Sequence, residues 1–288
     1  DTVRILDNFA TGKRENLEPI QRTVEIFEAD IQAVATLRQA MDSIDYCLHQ
    51  AAIPSVPRSV SDPASSNAAN ISGSLAVFLA ARDAGVRRVV VASSSSVYGP
   101  NAPVPTPETS PLAPASPYAV TKAAADMYAA VCSALYDIDV VCLRYFNVFG
   151  PRQDPNSQYA AVVPKFITSL LRGEAPEIHG DGSQSRDFSY IENVVEANLA
   201  ACEAKGPLAG AYNIACGTST SVLELYNQIA RLLGVDIAPI HTGPRAGDIP
   251  KSLADCTKAR ETFGYTARVS VAEGLQRTVF WYREHWQA

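Results

Sequence analysis

The chain has 288 residues, 47% of them hydrophobic and 19% charged, with a net charge of -6; that suffices to bury a sizeable core in one large domain or two. The acidic balance argues against a general nucleic-acid surface, which needs clustered Lys and Arg, and no stretch approaches the roughly twenty apolar residues of a membrane helix. The six cysteines form no C-x-x-C pair and the four histidines have no metal-ligand spacing, so the sequence reads as a cytoplasmic protein with reduced core thiols and no metal.

In chain order, Val3 to Leu6 predicts a short strand closed by Asp7-Asn8, with Ala10-Thr11-Gly12 as a loop. An acidic residue ending a strand is what a dinucleotide-binding fold uses for an adenosine ribose; taken alone, Asp7 reads as a turn residue. Val24 to Phe27 predicts a strand leading to Asp30, which is placed to cap a helix over Ile31 to Met41. Ile44 to His49 reads as a strand followed by Gln50-Ala51-Ala52, small residues that let backbone lie close to a ligand or pack tightly. Ser65 to Ala84 predicts one Ala-rich helix stopped by Gly85.

Val89 to Val91 is an apolar β-branched run, expected as a buried strand, that opens into four hydroxyls, Ser93 to Ser96. Some twenty residues on, Tyr118 and Lys122 stand four apart in a stretch that becomes helical, which sets phenol and ammonium on one face. A nearby cation favours the phenolate, and a phenol near a strand-end serine is a proton acceptor for a substrate hydroxyl. A lone Tyr-x-x-x-Lys pair is weak evidence. The order buried strand, serine cluster, Tyr-Gly, loop, Y-A-V-T-K is far more specific.

Val140 to Phe146 predicts a further strand ending in Asn147-Val148-Phe149-Gly150-Pro151-Arg152, after which composition changes. Helices are expected at Val162 to Leu171, from about Ile191, at Ser221 to Leu233, near Thr257 to Phe263 and at Val271 to Trp286. Strands are expected at Ala211 to Ala215 and Ile237 to His241, and a turn at Gly180-Asp181-Gly182. Alternating strands and helices predict an α/β protein with a parallel sheet. Ligands of such sheets bind at the carboxyl ends of strands, where Asp7, Asp30, Gln50 to Ala52 and Ser93 to Ser96 all fall.

The whole chain resembles the extended short-chain dehydrogenase/reductases, and among them the nucleotide-sugar 4-epimerases, the closest likeness being to those that act on UDP-N-acetylglucosamine. The matching stretches are D-N-F-A-T-G (7–12), H-Q-A-A (49–52), N-I-x-G (70–73), S-S-S-S-V-Y-G (93–99), S-P-Y-A-V-T-K (116–122), L-R-Y-F-N-V-F-G-P-R (143–152), G-D-G-x-x-x-R-D-F (180–188) and R-A-G-D (245–248). The resemblance implies a Rossmann-like doubly wound sheet: an NAD-binding domain over 1–150, completed by parts of 187–215, and a smaller, interleaved substrate lobe over 151–288. It implies NAD held by Asp7 and Asn8 at the adenosine ribose, Thr11 and Gly12 near its phosphate, Asp30 and Ile31 at the adenine, Gln50, Ala51 and Ala52 along the pyrophosphate path, Asn70 beneath, and Phe146. Ser94 matches the active-site serine, Tyr118 the base, and Lys122 its partner on the nicotinamide ribose. Ser55 and Asn147 would touch the UDP-sugar, and Arg186 and Arg245 would clamp its diphosphate with charge-assisted bonds.

The implied reaction is removal of the 4-hydroxyl proton by Tyr118 with hydride passing to NAD, a turn of the transient 4-keto sugar, and return of hydride to its other face. Ser252 stands where relatives restricted to plain sugars carry a bulky residue, often Tyr, which favours the UDP-GlcNAc/UDP-GalNAc pair. The related dehydratases carry Asp-Glu after the active-site hydroxyl, and decarboxylases a Glu; here the residues are Ser95 and Ser96. Both remain alternatives, as does a non-catalytic binding scaffold. The family opens with a strand and Gly-rich loop that this sequence does not show, so one βα unit of roughly thirty residues is expected to be absent, with two strand edges exposed and NAD binding impaired. Relatives also pair through helices matching 65–84 and 118–136, which predicts a homodimer.

Overall fold

The structure, a computed structural model, describes residues 2–155, 161–244 and 249–286. The chain runs β1 (Val3–Asp7), β2 (Val24–Glu28), α1 (Val34–Met41), β3 (Tyr46–His49), α2 (Val56–Ser61), α3 (Pro63–Asn67), α4 (Gly73–Asp83), β4 (Arg88–Ser94), α5 (Pro117–Leu135) and β5 (Asp139–Tyr145). It continues through β6 (Val148–Phe149), α6 (Val162–Leu171), β7 (Glu177–His179), β8 (Ser185–Asp187), β9 (Ser189–Tyr190), α7 (Ile191–Glu203), β10 (Gly210–Ile214), β11 (Ser219–Ser221), α8 (Val222–Leu233), β12 (Ile240–Thr242), α9 (Thr257–Phe263) and α10 (Val271–His285). The expected α/β architecture is present. The chain divides into two units, one of residues up to Gly99, Leu112–Arg144 and Asn198–Tyr212, the other of Pro100–Pro111, Tyr145–Ala197 and Asn213 onward.

The first unit is built on β4. Its Val89, Val90 and Val91 are buried, the continuous apolar run of a strand covered on both faces. β4 lies inside a sheet of order β10-β5-β4-β3, with β3 pairing β4 in parallel from Tyr46 opposite Arg88 to His49 opposite Val91. β1 and β2 pair in parallel, Val3 opposite Val24, as a separate two-stranded piece. Among the described residues no strand bridges β1 and β3, so each presents an unpaired edge. The core under the sheet joins Leu37, Met41, Val77, Phe78, Val89, Val91, Ile138 and Val140. A fully buried Arg88 guanidinium pairs with Asp139 and donates to the carbonyls of Ala201, Cys202, Ala204 and Gly206, so it caps the carboxyl end of α7.

Two sequence expectations change here. Asp30 does not cap α1: that helix starts at Val34 after Ala33, which makes no side-chain cap. The Asp30 carboxylate instead accepts from Gln32 N at 2.8 Å and from Asn8 Nδ2 at 2.8 Å, tying the end of β2 to the end of β1. The helix expected whole over Ser65 to Ala84 is divided into α3, a π-helical turn at Ala68–Ser72 and α4. At this turn Gly73 lies so close to Ile31 that a Cβ would sit 2.4 Å from Ile31 Cδ1, and Asn70 is buried.

The second unit has its own core of Phe149, Phe166, Ile167, Leu170, Leu225, Ile229, Leu275 and Tyr282. α8 opens with a reciprocal Ser221–Glu224 capping box and closes on left-handed Gly234. Asp187 ends β8 with no exposure, and its carboxylate accepts from the N–H groups of Cys216, Gly217 and Ala254, each at 3.1 Å. Burial pushes its pKa up to about 6 while those N–H groups draw it down, and it pins three segments of the unit together.

Candidate active site

The strand-to-turn transition after β4 positions the serines. Ser94 is the last strand residue, and its hydroxyl caps the 3-10 turn Ser95–Tyr98 by accepting from Ser96 N at 3.2 Å. Ser96 Oγ lies 2.9 Å from the same oxygen. Gly99 closes the turn at φ +72, where a Cβ would run into the Ala113 carbonyl at 2.0 Å; only glycine fits.

α5 then delivers the rest. Ser116 caps it by accepting from Ala119 N, and Pro117 takes the first helical position, where its missing N–H is no loss. Ser59 of α2 accepts Tyr118 N at 2.9 Å. The Ser94 side chain draws the Tyr118 pKa down against the rise that burial imposes, so the two side chains are neighbours. The three residues singled out from sequence, Ser94, Tyr118 and Lys122, therefore meet at the carboxyl end of β4.

The electrostatics differ from the simple expectation. Lys122 Nζ is 6.0 Å from the Tyr118 ring centroid and donates to the Ala92 carbonyl at 2.7 Å. Burial lowers its pKa to about 8, opposed by the charge of Asp126 one turn on. Burial raises the Tyr118 pKa, and the Ser94 side chain lowers it. In the protein alone the phenol is thus held in its neutral form, and the serine, rather than the lysine, is the group that draws it toward the phenolate.

A buried relay supports the site. His49 Nε2 lies 2.8 Å from Ser74 Oγ, which donates to the Asn70 carbonyl at 2.6 Å. Burial, then the Lys122 charge, push the His49 pKa down to about 3, so its imidazole is neutral. The Asn70 amide accepts from Ile53 N at 2.7 Å and donates to Ile53 O and to Thr121 Oγ1. Behind Lys122, Asp126 pairs with Arg144 at 2.9 Å, and Arg144 donates to Tyr98. Sequence reading missed His49, Thr121 and Asp126; Asp126, four residues beyond Lys122 on the same helix face, was the available signal.

The cofactor candidates fall in the first unit apart from Phe146. Asp7 accepts Phe9 N at 2.7 Å, and a Cβ on Gly12 would lie 3.0 Å from Asp7 Oδ2, so the loop Phe9–Gly12 folds around that carboxylate. Asp7 and Asp30 thus gather carboxylate acceptors at the ends of β1 and β2, with Asn8 between them. Thr11 is exposed beside them, and Gln50, Ala51 and Ala52 follow β3 with Gln50 donating to Asn198. Three further candidates make contacts within the protein. The Ile31 side chain packs on Gly73 and the core. The Asn70 amide is consumed by Ile53 and Thr121 and cannot face a ligand. Phe146 is buried, with its N–H given to Ile214 O.

Of the substrate candidates, Ser55 caps α2 by accepting Arg58 N. In the second unit Asn147 has φ +26, an unusual value for a residue with a side chain, and donates to Asp187 O. Arg186 donates to the carbonyls of Ser185 and Ile249, and Ser252 N donates to Ser185 O, which sets Ser252 beside β8. Arg245 lies outside the described residues.

A serine at the end of a parallel strand, with a tyrosine and a lysine one helical turn apart on the next helix, is an arrangement suited to a proton-coupled oxidation of an alcohol. Residues 1–215 match the NAD dependent epimerase/dehydratase family. The chain belongs to this family. It is 40% identical over 284 residues to the UDP-glucose 4-epimerase of Mycolicibacterium smegmatis, covering 96% of this chain and 90% of that one. Among solved structures it matches a UDP-N-acetylglucosamine 4-epimerase of Methanobrevibacter ruminantium in complex with UDP-N-acetylmuramic acid, with TM-score 0.94, 40% identity, and coverage of 98% and 91%. It also matches the UDP-glucose 4-epimerase of Thermotoga maritima with UDP-glucose, with TM-score 0.93, 37% identity, and coverage of 99% and 92%. As in other members of this epimerase/dehydratase family, the cofactor is NAD.

Proposed function

We propose that the chain interconverts the C4 epimers of a UDP-hexose, with UDP-GlcNAc and UDP-GalNAc as the favoured pair. The observation that carries this reading is Ser94 at the end of β4 with Tyr118 and Lys122 one turn apart on α5, the Lys122 Nζ 6.0 Å from the Tyr118 ring centroid. Ser94 orients the sugar 4-hydroxyl, and Tyr118 accepts its proton and later returns one to the same oxygen. Lys122 holds the nicotinamide ribose and supplies positive charge beside the phenol. NAD, when bound, supplies the hydride acceptor and donor for C4. Asp7, Asn8 and Asp30 hold its adenosine ribose, with Thr11, Gly12 and Gln50 to Ala52 along its phosphates.

Ser55, Asn147, Arg186 and Arg245 bind the nucleotide sugar. Ser252 leaves room for an N-acetyl group because its side chain is small. Elimination of water, as in dehydratases, fits less well: position 96 carries a hydroxyl bound to Ser94 rather than an acid. The active form is a homodimer in the cytoplasm. Val120, Met127, Val131 and Leu135 form an exposed apolar stripe along α5, and a second copy of the same helix is the occupant that suits it.

The test is turnover of UDP-glucose, UDP-galactose, UDP-GlcNAc and UDP-GalNAc with NAD supplied. Tyr118→Phe is expected to lower kcat by about a thousandfold. Ser252→Tyr is expected to shift preference toward the plain sugars; an unchanged preference refutes that role. Full turnover by Tyr118→Phe refutes the reading as a whole.

A further inference from the structure

β8 brings a buried carboxylate to the place where residues assigned to the UDP-sugar meet. A backbone ladder leads to it: Ser185 N donates to Pro250 O at 2.9 Å, and Ser252 N donates to Ser185 O at 3.0 Å. One step on, the ladder passes to a side chain, because Ala254 N donates to Asp187 Oδ2 at 3.1 Å. The same carboxylate accepts Cys216 N on Oδ1 and Gly217 N on Oδ2, each at 3.1 Å. Its main chain adds a further link, since Asn147 Nδ2 donates to Asp187 O at 3.2 Å. Arg186, between the two ladder residues, donates to Ile249 O. Asn147, Arg186 and Ser252 are thus all held at this one short strand, and Asp187 ends it.

We infer that Asp187 is a positioning residue for the nucleotide sugar: its charged carboxylate keeps Arg186 and Ser252 in register, so that loss of the charge raises KM for the substrate and leaves kcat unchanged. This rests on the proposed placing of Asn147, Arg186 and Ser252 at the UDP-sugar. The Asp187 carboxylate is fully buried and spent on backbone N–H groups, so it acts through its neighbours and not on the substrate.

A count of donors shows why the charge matters. An ionised carboxylate only accepts, whereas a protonated one, like an amide, carries a donor at one of its two positions. A donor at Oδ1 faces Cys216 N, and a donor at Oδ2 faces Gly217 N and Ala254 N. Bonds to a charge are also the stronger ones, so every tie that remains is weakened. The tie to Ala254 is the one that fixes the segment bearing Ser252. Burial raises the Asp187 pKa to about 6 against the pull of the N–H groups, which puts the change within reach of an assay. The titratable side chains packed nearby are shifted away from that range. Burial raises Cys216, Cys256 and Tyr265, Cys256 to about 12, and the Thr257 N–H draws Asp255 down. Ser219, opposite Asp187 on β11, carries no charge. The charged side chains on the flanks are Arg186, bound to Ile249 O, and Lys251, exposed beside Ser185. Glu108 accepts Asn213 N at 2.7 Å.

The experiment measures KM and kcat for UDP-GlcNAc and for UDP-glucose, with NAD supplied, on the parent chain and on Asp187→Asn, from about pH 5 to about pH 8. Parent KM is expected to rise about tenfold from neutral pH to the acid end, the factor that one ionisation near pH 6 gives. Asp187→Asn has the same shape and no charge at any pH. Its KM is expected to stand about tenfold above the parent's at neutral pH and to stay flat across the range, with kcat within about twofold of the parent's. A parent KM that is flat with pH overturns the inference, and that reading needs no variant to fold. So does an Asp187→Asn chain whose KM keeps the parent's acid rise, or whose kcat falls with KM unchanged. Should neither sugar turn over, the function assigned to the site fails, and the dissociation constant of UDP-glucose, read by calorimetry over the same pH range on both chains, still decides whether Asp187 governs binding.

Discussion

Lys122 is buried to 7% exposure, and a lysine in that setting must be weighed in both protonation states. Its folded-state pKa of about 8 lies below the usual value of 10.5, so between those pH values the unfolded chain binds a proton that the folded one does not. Stability from this residue is therefore least below pH 8 and is gained as pH rises toward 10.5; the charged form costs about 3 kcal/mol. Lys122→Met removes this titration. Chemical denaturation of both proteins across this range is expected to show the stability difference moving in favour of the parent as pH rises, by a few kcal/mol. A flat difference would mean that the ammonium is solvated. Placement beside Ala92 O and Asp126 is a compromise, in which a buried charge is kept 6.0 Å from the Tyr118 ring.

At the scale of elements, the π-helical turn between α3 and α4 is what locks the loop after β3. Asn70 clamps both backbone groups of Ile53 and reaches Thr121 on α5, one residue before Lys122. The residue after Gln50 to Ala52 and the residue before Lys122 thus share one buried amide. Asn70→Ala strands Ile53 N and O and removes one donor from the Thr121 hydroxyl, which keeps its own bond to Tyr118 O. We expect a loss of about 3 kcal/mol in unfolding free energy and a raised KM for NAD, measured by denaturation and by initial rates. A pure stability loss with KM unchanged would confine Asn70 to folding. α5 is the other element that couples levels: its Ser116-Pro117 start was legible, since cap and proline sit where helix entry requires them. Its inner face follows from Ala119, Ala123 and Ala129, which are buried.

At the scale of the whole molecule, the outer face of α5 remains apolar, with Met127 58% and Val131 51% exposed. Charges there do not touch the monomer's core but are incompatible with a second copy. Met127→Glu with Val131→Glu is expected to halve the mass seen by light scattering while far-ultraviolet circular dichroism stays unchanged. A parent chain that is itself monomeric would refute the dimer.

The alternation of strands and helices, the parallel sheet and the placing of Tyr118 and Lys122 one turn apart on a helix were readable because period, β-branched runs, caps and Tyr-x-x-x-Lys spacing are local properties of the chain. Helix α6, expected over Val162 to Leu171, lies where its apolar spacing put it. What only the tertiary structure decided are contacts between segments far apart in sequence. Examples are Ile31 turned onto Gly73 rather than outward, the Asn70 amide spent on Ile53, Asp30 bound to Asn8 instead of capping α1, and Lys122 drawn to Ala92 O. Each depends on which groups lose water together. That choice is made by packing, because a buried donor takes whichever acceptor burial leaves within reach.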